Sequence, residues 1–298
     1  LLYWVGKEET AMKHRVEKTE AAIDYIEGHL SEKLNLELVA EAVHYSKYYL
    51  HRIFTQTTGL TVHDYVKRRQ LTEAAKLLVF SEKPIVEIAF LAGYESQQAF
   101  ADSFKAMYKK APGQYREERE FYPLQLRYCL NREAVEFGGI EDMEQRIRPA
   151  SEEDIPAWMD LVRLAVDGFP CLDETQHLQW LRECVRQGQA FILKDRETAD
   201  GVMGITKETG SIDFLGVHPQ YRKTKIVQAF LRKAFSQLEE GRELTVTTFR
   251  EGDRADTGHR DGLKRLGFAE RELLVEFGYP TQRFVLQKEK LEGGKHEL

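Results

Sequence analysis

LVAEAVHYSKYYLHRIFTQTTG (Leu38 to Gly59) and VEIAFLAGYESQQAFADSFKAMYKKAPGQYR (Val86 to Arg116) are two copies of one pattern. Each reads as a short apolar helix, a tight turn, a capping residue and a second helix of about three turns with aromatics on its inner face. Setting Ser46 against Glu95 puts Tyr45 on Tyr94 and, with one residue of slack, Leu50 on Phe100 and Phe54 on Phe104. That is the arrangement expected of a helix-turn-helix, repeated.

The turn chemistry agrees with this reading. Gly93 stands where the first helix of the second copy must stop, and glycine tolerates the left-handed conformation such a stop needs. The first copy has His44 in its place, a costlier residue there. Ser46 and Glu95-Ser96 offer side-chain oxygens to the free amides of the following helix. Sharp two-helix turns also occur in proteins that never touch nucleic acid, so the pattern alone leaves the function open.

The doubled unit, the connecting LTVHDYVKRRQLTEAAKLL (Leu60 to Leu78) and the closing FKAMYKKAPGQYR (Phe104 to Arg116) resemble the DNA-binding domain of the AraC/XylS family of bacterial transcription regulators. GYESQQAFADSFK (Gly93 to Lys105) is most similar to the multidrug and stress-response activators of that family. The resemblance implies a double-stranded DNA partner, and two recognition helices entering successive major grooves on one face of the duplex. It also implies RNA polymerase as a partner and activation as the sign of regulation. Carried onto this sequence, the first recognition helix runs from Lys47 to Thr57 and presents Lys47, Tyr48, His51 and Arg52, with Tyr49 half-buried. Arginine can bond guanine in a bidentate fashion, while tyrosine and histidine can donate a hydrogen bond or pack on a thymine methyl. The second runs from Ser96 to Tyr108, and Gln97 and Gln98 at its start suit adenine edges. Asp102 stands where the resembling activators often carry arginine, which shifts the second helix towards backbone and shape readout. Lys105, Lys109 and Lys110, and the run Lys67-Arg68-Arg69 in the connecting helix, are phosphate candidates.

The whole chain, 298 residues with 42% apolar and 31% charged, is long enough for two domains and ordinary for a globular protein. Its net charge of −6 argues against nucleic acid, but the distribution does not. From Val43 to Arg116 eleven lysines and arginines face six acids, a surplus of five, so an acidic remainder is attached to a basic segment. No apolar run approaches the ~20 residues of a membrane helix, and LLYWVG at the start is too short for a signal peptide. Three cysteines (Cys129, Cys171, Cys184) without paired spacing favour a reducing cytoplasm, where a DNA-bound regulator would associate with the nucleoid. Cys171, His177 and Cys184 match no common metal site, so no metal is expected.

The expected fold class is an all-α double helix-turn-helix domain followed by a mixed α/β domain. Residues 1–20 form an N-terminal extension, 21–120 the helical domain, 121–142 a connector whose sequence does not decide whether Leu124 to Leu130 is a strand, 143–290 the α/β domain and 291–298 a tail. In the second domain RIRPA reads as a strand and SEED (Ser151 to Asp154) as a capping box opening a helix. Helices are expected at 174–186, 225–238 and 257–266. AFILKD, GVMGITKE, SIDFLGV, ELTVTTF, ELLVEFG and RFVLQK read as strands, with turns at 199–201 and at Gly210. This order, with LGVHPQYRKTKIVQAFLRKAF (Leu215 to Phe235) and the late LKRLGF (Leu263 to Phe268), resembles the GNAT acyltransferase fold.

The GNAT resemblance implies a strand, Asp213 to Val217, that splays from its neighbour and pairs with the pantetheine arm of acetyl-CoA. It implies that Leu215, Val217, Arg222, Lys223 and Lys225 would line the ligand site, with Asp213 aligned to a common general-base carboxylate. The pyrophosphate cradle departs from the family pattern. It reads YRKTKIV, with Lys223, Lys225 and Val227 where glycines normally let backbone amides approach the phosphates. The tyrosine often used as general acid falls at Leu263, which carries no proton to transfer. The expectation is therefore no cofactor and a retired enzyme, kept as a sensor of a small-molecule effector or as an interaction module. A DNA-targeted acetyl-CoA-dependent N-acetyltransferase is the alternative.

Overall fold

The computed structural model describes residues 2–131, 137, 139–165, 173–222, 224–276 and 279–293. They fall into two compact units: one of residues 2–131 with 219–222, the other of the remaining described residues.

The first unit is helical. Helix α1 (Leu2–Gly28) leads into α2 (Leu36–Ala42), α3 (Lys47–Thr58), α4 (Val62–Phe80), α5 (Ile85–Leu91), α6 (Gln97–Tyr108) and α7 (Pro112–Glu118). Four starts are fixed by side-chain caps: Asn35, Ser46, Thr61 and Ser96 each accept a backbone N–H from three residues on. The turns differ between the copies. His44 and Gly93 both adopt positive φ, 57° and 76°, as the stop requires. A Cβ on Gly93 would meet Gln70 Nε2 at 2.6 Å and the Glu32 carbonyl at 2.9 Å, so glycine is needed there for space as well as for φ. The capping residue that answers Ser46 is Ser96, not Glu95. Glu95 is one extra residue in the second turn, exposed and paired with Lys33 at 2.6 Å, and it supplies the slack in the alignment.

The two readers have separate cores on either side of α4. Ile23, Ile26, Val39, Leu50, Phe54 and Tyr65 are fully buried around the first. Leu71, Leu78, Ile88, Phe100, Phe104 and Tyr115 belong to the core of the second. At ~1.5 Å per residue, α4 is about 28 Å long and supplies residues to both cores. Its basic cluster does not behave as the sequence suggests. Only Lys67 keeps solvent contact, while Arg68 and Arg69 are 2% and 6% exposed. Arg69 is held by both oxygens of Glu27 at 2.8 Å, by Glu73 at 3.0 Å and by the Gln125 carbonyl at 2.9 Å; Arg68 donates to the Leu124 carbonyl at 3.2 Å. The expected phosphate contacts from these two arginines are thus replaced by internal bonds.

Leu124 to Leu130, undecided in the sequence, does not form a strand. The run is irregular and lies along α4, with Leu124, Gln125 and Tyr128 buried. Its amides are satisfied by the hydroxyls of Thr72 (3.1 Å to Leu124 and Gln125) and Tyr65 (3.3 Å to Tyr128) instead of by a ladder.

The second unit is a seven-stranded sheet with helices. In chain order it comprises α8 (Ile140–Arg146), β1 (Arg148–Pro149), α9 (Ile155–Ala165), α10 (Glu174–Arg186), β2 (Ala190–Asp195), β3 (Thr198–Thr206) and β4 (Ser211–Val217). It continues with α11 (Ile226–Phe235), β5 (Leu244–Phe249), α12 (His259–Arg265), β6 (Ala269–Glu276), β7 (Tyr279–Leu286) and α13 (Lys288–Gly293). The Ser151–Asp154 capping box forms as the sequence implies, and Arg148 grips Asp154 with two bonds of 2.7 Å. The turn read at 199–201 instead falls before Thr198, and those residues lie inside β3. The sheet order is β1-β2-β3-β4-β5-β7-β6, antiparallel except for β4 and β5. That parallel pair meets at Ser211 and Thr245 and has no further registered partners. Gly210 (φ 74°) makes the meeting possible: a Cβ there would stand 2.1 Å from the Glu243 carbonyl oxygen.

Removing one member of a buried ion pair leaves the other charge uncompensated. Glu27→Ala is expected to lower the stability of the helical unit by about 3 kcal/mol, read as a fall in the urea midpoint by circular dichroism. An unchanged midpoint would mean that Arg69 finds equivalent partners elsewhere.

Candidate nucleic-acid interface

In α3 the apolar residues Leu50, Ile53 and Phe54 point into the core, at 0%, 3% and 0% exposure, which turns the opposite face outwards. Lys47, Tyr48, His51 and Arg52 are all exposed on it, Tyr48 at 79%. An aromatic this open on a helix packed so tightly behind is not serving the core. Tyr49 is half-buried and organises its neighbours. Its ring stacks edge-on with Tyr45 at 5.5 Å, and the Arg52 guanidinium lies 5.6 Å from its centroid. Lys47 lies over Tyr48 at 5.5 Å and pairs with Glu37 at 3.3 Å.

In α6 the buried set is Phe100, Phe104, Met107 and Tyr108. Ser96, Gln97, Gln98, Lys105 and Lys109 are exposed. The cap fixes the register of the two copies, so Gln97 and Gln98 correspond to Lys47 and Tyr48, and Asp102 to Arg52. The Gln98 amide donates to the Asp102 carboxylate at 3.0 Å, one helical turn on. The outward face of the second reader is therefore amide and carboxylate where that of the first is phenol and guanidinium. Lys109 ends the helix in the left-handed conformation (φ 62°) and donates to the Ala106 carbonyl at 2.9 Å. Lys110 is taken up by Glu118, whose carboxyl it holds below the usual range. Arg116 bonds the carbonyls of Leu78 and Lys83, and Lys83 pairs with Glu87. Much of the basic surplus counted in the sequence is thus spent inside the unit. The exposed remainder includes Arg52, Lys105 and Lys109.

The candidate ligand residues are divided between the two units. Leu215 and Val217 alternate on one face of β4, half-buried and 8% exposed. Arg222 belongs to the helical unit, where its guanidinium lies 5.6 Å from the Tyr128 ring centroid and its stem is 3.3 Å from a Cβ position on Gly59. Lys225 is exposed at the start of α11, and Lys223 lies outside the described residues. Asp213 has both oxygens engaged, by Thr206 Oγ1 at 2.6 Å and Ser211 Oγ at 2.7 Å, which fits a structural carboxylate. His177 accepts the Trp158 indole N–H at 3.2 Å and burial pushes its pKa down to about 4, while burial pushes the Cys184 thiol up to about 11. Cys171 lies outside the described residues, and among those described no three His, Cys, Asp or Glu side chains converge as a metal site. No helix of the described residues is long and apolar enough to cross a membrane.

Two capped helices of one unit, each seated on its own aromatic core and each turning a polar face outwards, define a paired helix-turn-helix reader. A helix-turn-helix domain model matches residues 39–118. The regulatory protein SoxS of Escherichia coli K12 is 40% identical over 94 residues, 32% of this chain and 88% of that protein. The chain belongs to the AraC family of DNA-binding transcriptional regulators. The HTH-type transcriptional regulator YbfP of Bacillus subtilis strain 168 is also 40% identical, over 101 residues; the match spans 34% of this chain and only 33% of YbfP. A solved GNAT-family acetyltransferase from Bacillus cereus ATCC 10987 aligns at a TM-score of 0.37 with 13% identity, over 48% of this chain and 96% of that one. So slight a likeness carries no argument.

Asp200 in β3 is the most perturbed carboxyl of the second unit. It is 1% exposed, its Oδ2 has no hydrogen-bond partner among the described residues, and its pKa is pushed up to about 7. Burial is the main cause; Asp195 adds to the rise and Arg146 opposes it. Because the folded value lies above the ordinary one of 3.8, the folded state holds a proton that the unfolded chain has lost. Stability is complete below pH ~4 and falls as pH rises to ~7. Asp200→Asn should remove that fall, leaving the variant more stable than the parent by roughly 4 kcal/mol at pH 8 and equal to it at pH 4, as read by urea denaturation.

Proposed function

We propose that this protein is a one-component transcription regulator, probed at its promoter by both recognition helices and acting as an activator. The observation that carries it is the pair of outward faces, Lys47, Tyr48, His51 and Arg52 on α3 and Ser96, Gln97 and Gln98 on α6, joined by α4. The first reader carries the stronger base-reading chemistry, since Arg52 can present a fork to guanine. The second, with Gln98 tied to Asp102, contributes register and shape, helped by Lys105 and Lys109 on phosphates. Activation through contact with RNA polymerase rests on the resemblance of Gly93 to Lys105 to the multidrug and stress-response activators, as does residence in the bacterial cytoplasm.

In this reading the α/β unit is a degenerate GNAT-like module that senses a small molecule or contacts a partner. The divergence of β4 from β5 after Ser211 supports the kinship. The cradle does not fit acetyl-CoA: Arg222 is drawn to Tyr128, side chains stand where glycines would expose amides, and Asp213 is held by two hydroxyls. No catalytic step is assigned to it. The divergence of β4 and β5 also favours the second reading, a DNA-targeted N-acetyltransferase, and calorimetry with acetyl-CoA separates the two. No heat of binding is expected; micromolar binding followed by turnover on an amine would overturn this view of the cradle.

For DNA, selection of bound duplexes from a random pool should yield a defined site. Arg52→Ala should then weaken binding to that site by about 1–3 kcal/mol and relax preference at one base pair. Equal loss on every sequence would demote Arg52 to a backbone contact.

A further inference from the structure

Helix α1 carries Lys18 to the edge of the first reader. Its ammonium donates to the Tyr49 hydroxyl at 3.0 Å and lies 4.9 Å from the Tyr49 ring centroid and 5.2 Å from that of Tyr45. Arg52 lies 5.6 Å from the centroid of the same Tyr49 ring. Two cations from different helices are thus gathered on one aromatic side chain. Among the described residues no carboxylate is within ion-pair reach of either, whereas Lys33, Lys47, Lys83, Lys110 and Arg69 each have an acidic partner. The Tyr49 hydroxyl bond keeps the ammonium charged, with its pKa above the ordinary lysine value. An ammonium has three donors, and Tyr49 takes one. His14 and Arg15, one turn earlier on α1, stand on the same side as Lys18 by helical spacing. Lys18 also precedes the residues matched by the helix-turn-helix model, which begin at 39.

We propose that Lys18 is a DNA-contact residue: anchored on Tyr49, it holds one backbone phosphate beside the base pairs that Arg52 and the rest of α3 read. The ring sets the spacing of the two cations, and the hydroxyl holds Lys18 in place before DNA arrives. This site rests on the DNA-binding reading and extends the footprint of the first reader onto α1. A phosphate contact carries no sequence information, so its loss is felt equally on all duplexes.

The test is fluorescence anisotropy of the full chain with two labelled duplexes, one selected from a random pool and one unrelated, across a salt series. Lys18→Gln should weaken both several-fold and make the plot of log affinity against log salt shallower by about one. Lys18→Arg should restore the slope. Tyr49→Phe keeps the ring, removes the anchoring hydroxyl and should fall between parent and Lys18→Gln, which keeps the question answerable if the glutamine variant folds poorly. A Lys18→Gln protein with an unchanged salt slope, or one weakened on the selected duplex alone, overturns the proposal while leaving DNA binding intact. A parent protein without salt-dependent affinity for either duplex overturns the DNA reading itself.

Discussion

The helical unit depends on one buried contact, the pairing of Arg69 with Glu27. A guanidinium 6% exposed is tolerable only when its donors are met, and here two carboxylates and a carbonyl meet them. The Tyr65 hydroxyl adds a bond of 2.8 Å to the same Glu27. The contact therefore ties α1, α4 and the irregular run after α7 together. It sets the roll of α4, and with it the direction each reader faces, because both cores are built on that helix. A hydrophobic contact could hold the helices together, but with less control over rotation than a forked, directional pair.

On this frame the chain builds the same motif twice with different chemistry. Both recognition helices are fixed by serine caps and by aromatics at matching positions, so the backbones agree. The outward faces do not. Tyr48 and Arg52 in one become Gln98 and Asp102 in the other, and the second pair bond to each other. An arginine resting on Tyr49 keeps its donors outward, whereas an amide engaged by a carboxylate has fewer left to offer. The difference between the two outward faces follows from these side chains alone.

The α/β unit turns on one close approach of two backbones. Strands β4 and β5 diverge just after their one registered pair, made possible by a glycine that lets two backbones approach. The segment that follows β4 belongs to the helical unit. Gln220 and Tyr221 are buried, and Gln220 accepts the Asn131 N–H at 2.8 Å.

Sequence by itself determined most of what is local. Helix starts at Ser46, Thr61 and Ser96, the stop at Gly93, the Ser151–Asp154 box and the exposed faces of α3 and α6 all follow from hydrogen bonds and periodicities confined to a few residues. Tertiary structure decided where long-range partners compete. The sequence cannot show that Arg68 and Arg69 turn inwards, because the groups that bind them lie some forty to fifty-six residues away. Nor can it show that 124–130 is an ordered, irregular run, since its amides are satisfied by distant hydroxyls instead of a repeating ladder. The register slip at Glu95 and the sharing of Tyr49 between Lys18 and Arg52 have the same origin. A charge announces itself in the sequence, but whether it meets water, a carboxylate or a phosphate is settled by what the fold brings beside it.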